Sequence, residues 1–147
     1  MKNPVGGLAP EPVTDPSQTI ASALEWLEKA EGAFSRPDSG PLKASDRRDL
    51  VSFYLFLAVQ HCLDLAVHAA AELGTPPHGL ESTFDTLAGQ GFLDRDLALR
   101  MRGALVFRNR IAYDYGDFDE ERLWGEFPVL IATVRRFLLK VSEAAGL

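Results

Sequence analysis

The chain has 147 residues, 46% of them hydrophobic and 24% charged, and a net charge of −6 at pH 7. That length and balance fit one globular domain with its own core, and exclude a disordered chain or a basic protein that coats nucleic acid. A small local basic patch that touches RNA stays compatible with it. The lone Cys62 excludes an internal disulfide framework and suits a reducing, cytoplasmic setting.

Residues 1–15 are rich in Pro and Gly, carry one Lys and no long apolar core, and read as a flexible tail rather than a signal peptide. The folded domain is expected over 16–147. Asp15-Pro16 is a start signal, a cap followed by proline in the first turn. Ile20, Ala23, Leu24, Leu27 and Ala30 then recur at helical spacing, which predicts a first helix from Pro16 to Phe34. Ser35 to Lys43 holds two prolines and a glycine and reads as a loop.

Ser45 is placed to cap a second helix, with Asp46 and Asp49 near the positive end of its dipole. Gly74, followed by Thr75-Pro76-Pro77, is a fitting end for it. This helix is apolar on most faces, which places it at the centre of a bundle. Its apolar run from Leu50 to Leu73 is broken by Gln60, His61, Asp64 and His68, so it reads as a core helix, not a membrane span.

A short helix is expected over Leu80 to Ala88, ended by Gly89-Gln90-Gly91. Asp94 can cap a fourth helix over residues 95–115, stopped by Gly116. Asp119 can cap a last helix that reaches Ala145, with a kink or short break expected where Pro128 follows Gly125. No segment has strand period. The fold class is all-α, an antiparallel bundle of four main helices plus one short one.

At about 100° per residue, Leu97, Met101, Ala104, Ile111 and Tyr115 fall on one stripe of the fourth helix, and Arg108 falls in its middle. A guanidinium on an apolar stripe is costly unless it is paired or lines a wet cleft or interface. One reading is a structural ion pair, with Asp64 the first candidate partner. The other is an arginine held ready for a phosphate, which its fork geometry suits. Arg110 and Asp114 are four apart and predict an ordinary solvated pair. Tyr113 lies roughly 140° round from Arg108, so the two converge only if the helix is distorted or a twofold axis joins two copies.

On the second helix, Tyr54, Leu57, His61, Asp64 and His68 share a face. The two histidines are two turns apart, roughly 10 Å along the axis, too far to share one ion unaided. Polar packing beside Arg108 is the expected role of His61 and Asp64, and no metal is assigned. Cys62 is expected to be buried and inert. There is no phosphate loop, nucleotide-binding glycine fingerprint or serine elbow, so no cofactor is assigned.

Three stretches carry a resemblance: the long helix Leu50–Gly74, the segment from Phe84 to Leu93, and above all Phe107-Arg108-Asn109-Arg110-Ile111-Ala112-Tyr113-Asp114-Tyr115. Over roughly residues 18–141 the chain resembles the HepT-like toxins of the HEPN superfamily. The family motif is Arg, usually followed by Asn, then His after four to six residues and Tyr two further on. Arg108, Asn109 and Tyr115 match it, while Tyr113 stands where the family has histidine.

The resemblance implies the toxin of a type II toxin–antitoxin system. Such a toxin is a metal-independent RNA-cleaving homodimer paired with an MntA-like nucleotidyltransferase antitoxin that attaches AMP at the position of Tyr115. It also implies catalytic roles for Arg108, Asn109 and position 113. Imidazole titrates near pH 6.5 and phenol near pH 10, so a tyrosine there is a poor base and the ribonuclease is expected to be weak or silent. The alternative is a non-catalytic module that binds a nucleotide or a nucleotidyltransferase partner. His61 and His68 are the side chains that could compensate.

Overall fold

The computed structural model describes residues 15–36, 43–75, 79–113 and 120–147. Five helices follow in order: α1 Pro16–Phe34, α2 Ala44–Glu72, α3 Leu80–Gly89, α4 Arg95–Tyr113 and α5 Glu120–Ala144. No strand occurs among the described residues. The all-α bundle of four main helices and one short one is therefore as expected.

Local chemistry sets most of the helix ends. Asp15 accepts from the Ser17 backbone N–H at 3.1 Å, and Pro16 occupies the first helical position, where its missing N–H costs nothing. Asp94 caps α4 in the same way, taking the Leu97 N–H at 2.7 Å. Gly74 closes α2 at φ +75°, a conformation that a side chain resists. There Thr75 donates to the Ala70 carbonyl and Gly74 to that of Ala71.

Two local expectations are corrected. Ser45 does not cap α2. The helix begins two residues earlier than that cap implies, at Ala44, and Lys43 takes the extended N-cap position with no side-chain bond. Asp46 is consequently the acidic residue of the first turn, and Asp49 lies beyond it. Of the kink or short break expected at Pro128, the break does not occur: α5 runs through the proline. Phe127, Leu130 and Ile131 are buried around that point, and their packing offsets the roughly 3 kcal/mol that an interior proline costs.

α2 is the axis of the bundle and packs against each of the other four helices. It is long and apolar enough to cross a membrane, yet Val51, Leu55, Ala58, Val59 and Cys62 are wholly buried against its neighbours. Aromatic rings seal one end of the core. Phe34 of α1 meets Trp124 of α5 at 4.7 Å between centroids, and Phe107 of α4 meets Phe127 edge-on at 6.4 Å. These contacts fix α4 against α5, and so orient the helix that carries Arg108.

Candidate functional site around Arg108

On α4 the buried residues are Leu97, Ala98, Met101, Ala104, Leu105, Phe107 and Arg108. The apolar stripe thus faces the core as expected, and Arg108 is buried with it, only 3% exposed. A guanidinium in that position must be hydrogen-bonded. Its Nε donates to Gln60 Oε1 at 3.0 Å, and its Nη1 donates to Asn109 Oδ1 at 2.8 Å. Two of its five donors are thereby committed to neutral amide oxygens, one on α2 and one on the next residue of α4.

Asp64 is the partner expected from the sequence; the oxygens that meet Nε and Nη1 are those of Gln60 and Asn109. Gln60 stands one helical turn before Asp64, and the register of α4 against α2 brings that turn to Nε. Gln60 is the residue that sequence reasoning missed, although it was already visible as a polar break in the apolar run of α2.

Tyr54, Leu57, His61, Asp64 and His68 are all partly buried, so the predicted face exists as a rim along α2. Burial lowers the His61 pKa below its ordinary value and favours the neutral ring. Cys62, behind the rim, is wholly buried, and desolvation with the nearby Asp64 charge pushes its thiol up. That thiol is no nucleophile. His68 faces Glu72 at 3.9 Å, one turn on, and Tyr54 stacks on Trp26. His61 and His68 are therefore engaged in different surroundings. Among the described residues no group of three or more metal-ligating side chains converges.

Tyr113 is 61% exposed at the end of α4. α4 is continuous from Arg108 to Tyr113. One copy therefore keeps the buried guanidinium and the exposed phenol apart, as their angular separation predicts. Arg110 is exposed. Asp114, its expected partner, lies outside the described residues, as do Tyr115, Gly116 and Asp119.

Residues 23–141 match the family model described as Ribonuclease HepT-like. The chain belongs to that family. Solved structures agree in fold. A tri-AMPylated HEPN toxin of Shewanella oneidensis, in complex with MNT antitoxin, superposes with a TM-score of 0.77 at 16% identity, covering 87% of this chain and 96% of that one. A toxin–antitoxin structure with AMP-PNP gives 0.75 at 15% identity, covering 86% and 96%. A MntA–HpeT complex with a tyrosine-to-alanine substitution gives 0.74 at 15% identity, covering 87% and 98%. No curated protein matches the sequence. At these identities the likeness to solved structures shows the fold of this HepT-like chain, and its activity must be argued from its own residues.

Proposed function

We propose that this HepT-like protein is the toxin side of a toxin–antitoxin pair, a homodimer whose Arg108 faces RNA at a cleft between two copies. The observation that carries the reading is Arg108 itself. It is buried on the core stripe of α4 and held at Nε and Nη1 by amide oxygens. An orientation fixed on both sides is what phosphate recognition by a guanidinium requires. In RNA cleavage the 2′-hydroxyl gives up a proton as it attacks phosphorus, and the departing 5′-oxygen takes one. Arg108 would balance the charge that develops on the phosphoryl oxygens, and Asn109 would hold its orientation.

Position 113 would carry the proton transfers, and there this chain has a phenol, which ordinarily titrates near pH 10. RNA cleavage by the chain as it stands is therefore slow. Since α4 keeps Tyr113 away from its own Arg108, the pair would be completed by the second copy. Phe53 is 52% exposed two turns before Gln60, an apolar surface suited to such an interface.

The fold relatives that are toxins in complex with MNT antitoxin, one of them tri-AMPylated, support a nucleotidyltransferase partner for this chain and Tyr115 as its modification site. Tyr113 favours a second reading, a non-catalytic module that holds a nucleotide or the partner. The deciding experiment compares RNA cleavage, with EDTA present, by the wild type, Tyr113→His and Arg108→Ala. A rise of about 10²- to 10⁴-fold in Tyr113→His, abolished by adding Arg108→Ala, supports the ribonuclease. A Tyr113→His protein that is as silent as the wild type favours the second.

A further inference from the structure

The face of α4 turned away from Arg108 forms a second feature. Gly103, Val106 and Arg110 lie about 140–160° round the helix from Arg108. With Leu123, Val129 and Leu130 they line a groove of about 450 Å³ between α4 and α5. A contiguous pocket of about 280 Å³ extends it past Pro128 and Ala132 to Arg136. We infer that this groove is the docking site of an acidic amphipathic helix from a partner protein.

The glycines are the first argument. Gly103 and Gly125 sit inside α4 and α5, where each is about 1 kcal/mol less favourable than alanine. A Cβ at either would meet nothing within 4 Å, so no packing inside the chain calls for them. What they provide is open space on both walls of one groove. Val106 and Val129 stand 51% and 54% exposed beside them. An apolar helix face laid in a groove is a recurrent mode of recognition, with anchors spaced three or four apart.

Charge selects the occupant. Arg100, Arg110 and Arg122 are on the groove wall with one acid, Glu126, and Arg136 closes the far end. Arg100 is paired with Asp96 at 3.1 Å, Arg122 with Glu126 at 3.2 Å, and Arg136 with Asp96 at 3.1 Å. These are exposed pairs of small net worth that can exchange for a partner's carboxylates. Arg110 makes no ion pair among the described residues and is exposed. Arg136 also meets Asp94 at 3.5 Å, so these arginines exceed their acids by one, and Arg110 is the positive charge left for a partner. Arg100 and Arg110 are ten residues apart on α4, about 15 Å, which matches roughly three turns of a docked helix.

The same features disfavour other occupants. The one aromatic residue of the wall, Phe107, is 4% exposed and offers no face on which a base could stack. A second copy docked through this same face would bring the same surplus of positive charge and no acid to offset it.

The test measures binding of two designed amphipathic helical peptides, each of roughly five turns with leucine and alanine on one face. One has glutamate flanks and the other lysine flanks. The glutamate peptide is expected to bind in the micromolar range, and the lysine peptide at least about tenfold more weakly. Val129→Glu should abolish binding, and Arg110→Glu should shift preference toward the lysine peptide. Both sites are exposed, and thermal melts confirm that the variants fold. Failure of the glutamate peptide to bind, equal binding of the two peptides, or indifference to Val129→Glu overturns the inference. So does loss of oligouridine binding, or of a dimer in sedimentation, in Val129→Glu. The first would make the groove a nucleic-acid track, and the second an interface between copies.

Discussion

Arg108 Nε donates to Gln60 Oε1 at 3.0 Å, tying α4 to α2 across 48 residues of sequence. The charged group of the motif is thus held by a neutral side chain on the central helix. An amide oxygen at Nε fixes the orientation of the guanidinium, which suits an arginine meant to meet a phosphate.

The bond should be measurable as a coupling. Removing the acceptor by Gln60→Leu should lower stability by about 1.5–3 kcal/mol, the range for hydrogen bonds to charged groups. Arg108→Met deletes the other partner. Because the two share one interaction, the double variant should depart from the sum of the singles by about 0.5–3 kcal/mol. Urea titration of the four proteins checks this. Strict additivity would show that the contact contributes nothing in solution.

The ends of α1, the close of α2 and the start of α4 were legible in the sequence because Asp15-Pro16, Gly74 and Asp94 act within a few residues of themselves. Ser45 misled, since a helix former, Ala44, precedes it and lets the helix start earlier. Burial of Arg108 was legible from periodicity alone. Its bond to Gln60 was not, because Gln60 and Asp64 lie on neighbouring turns of α2 and only the offset between two packed helices decides which turn meets Nε. The groove walled by Gly103 and Gly125 was illegible for the same reason: it exists only when α4 and α5 are set side by side. Tyr113 could be read both as a departure from the motif and, from its angle to Arg108, as a surface or interface side chain, and it is 61% exposed.

Acid stability should depend on His61. Burial holds its pKa below the ordinary value of 6.5, so on acidification the unfolded chain takes up the proton first. The contribution of the neutral ring is then complete above the unfolded pKa and is lost as pH falls from there through the lower folded one. His61→Gln should therefore lose less stability than the wild type between about pH 7 and pH 5. Asp96 acts in a different window. Bonds from Arg136 and Arg100 hold its carboxyl below the ordinary value, so its contribution fades only at lower pH and survives in the variant. Chemical denaturation at several pH values measures both limbs, and identical slopes above pH 5 for the two proteins would remove His61 as the cause.

Cys62 is wholly buried, and desolvation with the Asp64 charge raises its pKa. The thiol should stay unmodified by an aromatic disulfide reagent in the native protein and react as soon as the chain opens. Its labelling rate in rising urea should follow the population of open molecules measured by circular dichroism. Fast labelling in native buffer would mean that α2 is not the sealed axis of the bundle.

The separation of Arg108 from Tyr113 leads to a test of which copy supplies which group. One is 3% exposed and the other 61%, on a single continuous helix. If cleavage needs both positions, they must meet across two copies. The wild type keeps Arg108 but has phenol at 113, and the double variant Arg108→Ala/Tyr113→His has the reverse. Each alone should be weak or silent. Mixed under conditions that let subunits exchange, they should form heterodimers in which the intact arginine of one copy faces the introduced histidine of the other. RNA cleavage should then appear in the mixture, by up to the 10²- to 10⁴-fold that a positioned acid–base group contributes. It should vanish when Arg108→Ala is also placed in the first protein. A mixture no more active than its parts, beside an active Tyr113→His homodimer, would place both groups within one copy. α4 would then have to bend between Arg108 and Tyr113 in the working state.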